Sequence, residues 1–164
     1  MKGILSVFVV VAVIGCLSVS AFAVAVEEEK ANIDAVLTAL HDAASKADGE
    51  RYFSLYADNA IFYGTDSTER WTLDEFKEWA IPYFAKGKGW TYTMTERNIY
   101  LDADGNTAWF DERLMNEKYG DCRGTGALTM VDGQWKIVQY NLTFPVPNSI
   151  ALDVIQMIKE APSE

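Results

Sequence analysis

The stretch from Trp90 to Phe144 constrains the fold most, because four apolar-rich segments there are separated by tight-turn signals. Trp90 to Leu101 is rich in Thr, Tyr and Ile, residue types that suit a pleated, half-buried surface. Asp104-Gly105 follows, a dipeptide suited to the left-handed backbone of a hairpin turn. Thr107 to Asn116 reads as the next strand, Tyr119-Gly120-Asp121 as a looser turn, and Cys122 to Val131 as a third strand. Asp132-Gly133 is a second hairpin signal before a last strand, Trp135 to Phe144. Pro145-Val146-Pro147 ends the pairing, since proline has no N–H to give to a ladder. Antiparallel strands joined this way make a curved sheet, and one face of it must be covered.

The first half of the chain supplies the cover. Ile33, Val36, Leu37, Leu40 and Ala44 recur at helical spacing and predict an amphipathic helix from about Glu27 to Lys46. Asp48-Gly49 breaks it. A short second helix carries Tyr52, Phe53, Leu55 and Tyr56. Ala60 to Tyr63 reads as a short strand and Gly64-Thr65-Asp66-Ser67 as a turn. Thr72-Leu73-Asp74-Glu75 is a capping box, opening a helix through Phe76, Trp79, Ala80, Tyr83 and Phe84. Pro82 is expected to kink or divide that helix, and Gly87 and Gly89 to end it. After the prolines, Asn148 or Ser149 can cap a final helix with Ala151, Val154, Ile155 and Ile158 on one face. The expected class is α+β, with a single domain over about 27–160 and no internal repeat.

The N-terminus has a different character. No charge occurs from Ile4 to Val26, and Met1-Lys2 precedes this run. Ala21-Phe22-Ala23 and Ala23-Val24-Ala25 offer the small-x-small pattern that a signal peptidase reads, so residues 1–25 are expected to form a signal peptide of an exported, periplasmic or secreted protein. Two alternatives stay open. The run is long enough to be an uncleaved membrane anchor. Val13-Ile14-Gly15-Cys16 also resembles a loose lipobox, and cleavage there would leave a lipidated Cys16.

Loss of Lys2 with the leader leaves 13 basic residues against 24 acidic ones, a net charge of −11. Such a surface repels phosphate backbones, so nucleic acid is not an expected partner. Cys122 is then the one remaining cysteine, so the fold must rest on its core rather than on a disulfide.

Several segments carry a family resemblance. Asp48-Gly49, the aromatic helix after it, Ala57-Asp58-Asn59-Ala60-Ile61-Phe62 and Asp132-Gly133-Gln134-Trp135-Lys136-Ile137 resemble the nuclear transport factor 2-like superfamily. Tyr63 to Trp71 and Trp109-Phe110-Asp111-Glu112 look like its SnoaL-like branch. The resemblance spans about Ala31 to Phe144. It implies a cone-shaped barrel, a curved antiparallel sheet packed on N-terminal helices with a C-terminal helix, a pocket at the open end and often a homodimer. Function does not follow from such a fold. Ketosteroid isomerase-like members use an acidic base, a tyrosine and a protonated acid. Aligned on these segments, Gly64, Leu40 and Gly126 occupy those places, so that chemistry is not implied. Where kinase-association members carry histidines, this chain has Gln139, Tyr140 and Asn141.

Candidate chemistry is sparse. His41 is the sole histidine, and one His with one free Cys does not make a metal site. Gly124-x-Gly126 lacks the rest of a nucleotide fingerprint, so neither metal nor cofactor is expected. A general base must then be a carboxylate. Glu112 shares a strand face with Ala108, Phe110 and Leu114, while Asp111 faces the other way. Glu112 is thus either a desolvated acid–base group with a raised pKa, or the partner of Arg97 or Arg123. Asp66 is the nearest substitute for the family base, or simply a turn former. Arg70 can hold an anionic group. Trp71 and Trp79 can line a pocket, with Tyr100, Tyr140 and Asn141 as hydrogen-bonding groups. The leading expectation is a domain that binds a small, partly apolar molecule. A cofactor-independent isomerase or lyase and a structural dimer are the alternatives.

Overall fold

The computed structural model describes residues 2–161, with side chains from Val24 onward. The chain runs α1 (Lys2–Ser45), α2 (Gly49–Ser54), β1 (Tyr56–Tyr63), β2 (Arg70–Thr72), α3 (Leu73–Phe84), β3 (Thr93–Leu101), β4 (Thr107–Asn116), β5 (Gly120–Val131), β6 (Gln134–Thr143), a 3-10 turn (Asn148–Ile150) and α4 (Ala151–Glu160).

α1 begins far earlier than the expected start at Glu27. The apolar run before Glu27 contains no proline and only Gly15, so little there breaks a helix. The peptidase sites up to Ala23 and the lipobox at Cys16 lie outside the residues whose side chains are described. Beyond Glu27 the expected stripe is in place. Ile33, Leu37, Leu40 and Ala44 are buried, and each large one contributes about 1.5–3 kcal/mol by leaving water. The helix stops where Ala47 adopts a left-handed backbone, φ 55°. Asp48 then caps α2 by accepting from the Arg51 N–H.

All six strands form one sheet in the order β2-β1-β6-β5-β4-β3. Three hairpins join β3 to β6, as the turn signals predict. The sheet is not purely antiparallel. β1 lies parallel to β6, while β2 adds on β1's free edge through Phe62 opposite Trp71. α1, α2 and α3 cover one face of the sheet. Phe76, Phe84 and Phe53 interlock with Leu37, Leu40, Leu128 and Ile137 in the core. The capping box forms as expected, with Thr72 and Glu75 satisfying each other's backbone N–H groups. α3 continues through Pro82 to Phe84 rather than dividing, because the proline falls within the last turn.

α4 departs from expectation. Its helix forms, but neither Asn148 nor Ser149 caps it, since both are taken up in the 3-10 turn. None of its residues is buried: Ala151 and Val154 are half-buried, and Leu152 at 80% and Ile158 at 67% are exposed.

Candidate functional site

A one-residue irregularity on β6 sets the inner end of the site. Leu128 pairs with Ile137 but Ala127 pairs with Gln139, so Val138 is an extra residue. Such a bulge shifts which residues face inward. Trp135 and Ile137 point to the core before it, and Tyr140 and Leu142 after it. Asn141 consequently does not share Tyr140's face.

Opposite Tyr140, on β4, stands Glu112, buried to 1% exposure. Charge at that depth must be paired, and here it is. Glu112 Oε1 accepts from the Tyr140 hydroxyl at 2.7 Å and from His41 Nε2 at 2.9 Å. Its Oε2 accepts from Arg97 Nε at 2.8 Å, with Arg97 Nη2 at 2.7 Å. The Arg97 side chain is itself only 2% exposed. It donates through Nη1 to Asp34 Oδ1 at 2.8 Å and to Thr38 Oγ1 at 3.1 Å. The chain of contacts therefore runs from the surface carboxylate of Asp34 through Arg97 and Glu112 to His41 and Tyr140.

Gly124 makes room for this cluster. A Cβ there would lie 2.5 Å from the Tyr140 hydroxyl and 2.7 Å from Glu112 Oε1. Gly124 is thus required by close packing rather than by a phosphate.

Burial pushes the Glu112 carboxyl up, but the hydrogen bond and charge of His41, the charge of Arg97 and the Tyr140 hydroxyl outweigh it. The net effect holds it below the usual glutamate range. This corrects the expectation that desolvation would raise it: the ion-pair alternative, with Arg97 and not Arg123, is the one realised. Burial and the adjacent Glu112 charge push Tyr140 well above the ordinary phenol value. Because an ionised carboxylate can only accept, Nε2 of His41 carries the proton in this bond.

One small void adjoins the cluster, and a larger outer one lies beyond it and shares some of its walls. The outer one, about 270 Å³, lies where α3, β2 and the segment before β3 splay apart. Its walls are aromatic. Phe62 and Phe76 stack with centroids 3.9 Å apart, and Trp71 and Trp79 at 5.2 Å. Trp90 and Tyr92 form the far wall, and Gly64, Thr65, Glu69 and Tyr119 the rim. The inner void is about 20 Å³, roughly the size that holds one water. His41, Tyr140 and Tyr52 line it. Phe62, Trp90, Tyr92 and Leu142 are walls of both voids. Burial pushes the Tyr92 phenol up to about 12.

The structure brings some of the expected site residues together and separates others. Trp71 and Trp79 line the outer void, Tyr140 lines the inner one, and Glu112 lies behind Tyr140, bonded to its hydroxyl. Asp66 is exposed on the rim turn, where its carboxylate accepts from the Thr68 hydroxyl and N–H and is thereby held low. Arg70 is exposed, with its guanidinium 5.9 Å from the Tyr63 ring centroid. Tyr100 is stacked on Trp109 at 5.7 Å, and both are exposed. Tyr100 and Asn141 are not among the residues lining either void.

Sequence reasoning set His41 aside and did not single out Trp90, Tyr92 or Phe62. A signal for His41 existed. Asp34, Thr38 and His41 form an i, i+4, i+7 polar stripe beside the apolar stripe of α1. All three side chains join the chain of contacts that leads in to the buried Glu112.

The family model of the SnoaL-like domain matches residues 33–147. No curated protein matches the sequence. Solved structures share the fold at low identity. A domain of unknown function with a cystatin-like fold from Nostoc punctiforme superposes with TM-score 0.62 at 14% identity, covering 83% of this chain and 88% of its own. A nuclear transport factor 2-like protein of unknown function from Pseudomonas putida gives 0.60 at 13% identity, covering 72% and 87%. A candidate scytalone dehydratase from Novosphingobium aromaticivorans gives 0.60 at 15% identity, covering 72% and 85%.

Proposed function

The chain belongs to the SnoaL-like domain family, and on that premise we propose that it binds a small, flat, partly apolar molecule in its aromatic void. One observation carries this reading: the outer void is walled by Trp71, Trp79, Trp90, Phe62 and Phe76, yet opens past polar rim groups at Thr65 and Glu69. Aromatic faces favour a flat ligand through offset stacking. A volume of about 270 Å³ lies at the small end of ligand sites, enough for one or two fused rings. Glu69 at the rim, together with the acidic surface, disfavours an anionic ligand.

Native mass spectrometry of the protein purified gently from its own host tests this reading. Co-purification of a small molecule with the wild type and its loss from Trp71→Ala support it. A wild type that arrives empty and shows no tryptophan quenching by flat aromatic ketones counts against it. The same spectrum tests two further parts of the proposal: export with removal of the leader, and assembly as a homodimer. Exposed Tyr100 and Trp109 on β3 and β4 support the latter. A mass that includes the leader, or a monomer at all concentrations, would remove them.

A second reading, an isomerase or lyase that needs no cofactor, is favoured by the buried ionisable cluster against the inner void. The fold is shared with the candidate scytalone dehydratase, whose name is that of a dehydratase. Asp66 and Glu112, the carboxylates first considered as base, are both held low by their partners.

A further inference from the structure

We infer that the molecule taken up by the aromatic void is a flat organic cation, a ring system with a quaternary or protonated nitrogen, and that Glu69 is its counter-charge. This rests on the reading of the aromatic void as a ligand site. The Glu69 carboxylate lines the void and is half-buried, yet among the described residues it has no cation in salt-bridge contact. Its Oε2 accepts from the Asp66 N–H at 3.1 Å, which fixes it at the rim. Gly64 leaves it room, since a Cβ there would run into that same oxygen. Arg70, the next residue in the chain, has its guanidinium by the Tyr63 ring, 5.9 Å from the centroid. A carboxylate half withdrawn from water with no partner gains from a cation brought to it.

The walls favour the same charge. Among the described residues, none that lines the void is basic, while Trp71, Trp79, Trp90 and Tyr92 all do. An aromatic ring has a negative face that attracts a cation within about 6 Å, and tryptophan does so best. The rings are also close to parallel. Trp71 lies within 10° of Phe62, 15° of Phe76 and 28° of Trp79. A flat ligand can continue that orientation by offset stacking. The rim ring Tyr119 already has a cation on it, the Lys118 ammonium at 4.6 Å from its centroid. Lys118 lines the neighbouring cleft and not this void, which leaves the void to a ligand. A flat cation therefore gains from both stacking and charge, a neutral ring from stacking alone, and an anion meets Glu69. The net charge of −10 raises the local concentration of cations further.

The test compares N-methylquinolinium, neutral quinoline and the 1-naphthoate anion, all of two fused rings, by isothermal titration calorimetry of the purified protein at neutral pH. N-methylquinolinium is expected to bind about tenfold tighter than quinoline, and 1-naphthoate weakest. Added salt should weaken N-methylquinolinium and leave quinoline unchanged. Glu69→Gln keeps an acceptor for the Asp66 N–H, so it should remove most of the preference for the cation without altering quinoline binding. Trp79→Ala removes an exposed wall and should weaken both. Circular dichroism checks that each variant is folded. Quinoline binding as tightly as N-methylquinolinium, or a preference unchanged in Glu69→Gln, overturns the cation assignment and leaves the pocket reading intact. A wild type that binds none of the three overturns both.

Discussion

Glu112→Gln is the most informative single change, because the substitution keeps shape and removes charge. Glu112 meets Arg97, His41 and Tyr140 within 2.7–2.9 Å. A glutamine has one acceptor oxygen in place of two, so its amide N–H₂ must face a donor on one side. Either Arg97 or the His41–Tyr140 pair then loses its acceptor. Arg97, 2% exposed, would keep Asp34 as its one charged partner among the described residues, and the Asp34 side chain is 50% exposed. Breaking a buried pair from one side costs about 3–5 kcal/mol. For a domain of this size that lowers Tm by roughly 10–20 °C. The control is Asp111→Asn. Asp111 lies on the opposite face and accepts from Asn98 Nδ2 at 3.1 Å, so its loss should change stability by no more than about 0.5 kcal/mol. Urea unfolding followed by circular dichroism measures both. The urea midpoint should fall in Glu112→Gln with the slope unchanged. A loss below about 1 kcal/mol, or equal losses in the two variants, would refute the view that this cluster depends on charge.

The same cluster makes an acid-stability prediction. Because the folded pKa of Glu112 is depressed, its stabilisation is fully present above the unfolded value, near about 4.3. It is lost as pH falls through the folded value, so the wild type should weaken in that window and Glu112→Gln should weaken less. Parallel pH profiles of the urea midpoint would contradict this. Gly124→Ala inserts a Cβ against the Tyr140 hydroxyl and Glu112 Oε1, and should cost about 1–3 kcal/mol in chemical denaturation. An unchanged midpoint would mean that β5 yields there without cost. Glu29 Oε2 accepts from the Trp135 indole N–H at 2.7 Å, and Trp135 is buried. Glu29→Ala should therefore cost about 1–3 kcal/mol. A chain starting at Glu27 should melt like one starting at Val24, and a lower Tm for the shorter chain would show that residues before Glu27 contribute to the fold.

What the sequence made legible, and what it hid, follows one physical distinction. Patterns that depend on local geometry could be read. The α1 stripe from Ile33 to Ala44, the two Asp-Gly hairpins and the Thr72–Glu75 capping box all appear where spacing alone puts them. Features decided by contact between distant segments could not. β2 is only three residues long and exists because β1 offers it an edge. The bulge at Val138 leaves no local mark, yet it decides that Tyr140 faces Glu112 while Asn141 does not. α4 shows the converse case. Its helical spacing is clear, but spacing says nothing about whether the chain supplies a surface for that face, and none of its residues is buried. His41 lies between these limits. A polar stripe of Asp34, Thr38 and His41 beside a buried one is a local signal that side chains will be drawn under the sheet edge. Its meaning depends on Arg97 and Glu112 arriving from β3 and β4. A lone histidine is weak evidence for chemistry when counted by type. It becomes a candidate once a buried carboxylate, itself held by an arginine, is found to fix one of its nitrogens and leave the other without a hydrogen-bond partner among the described residues.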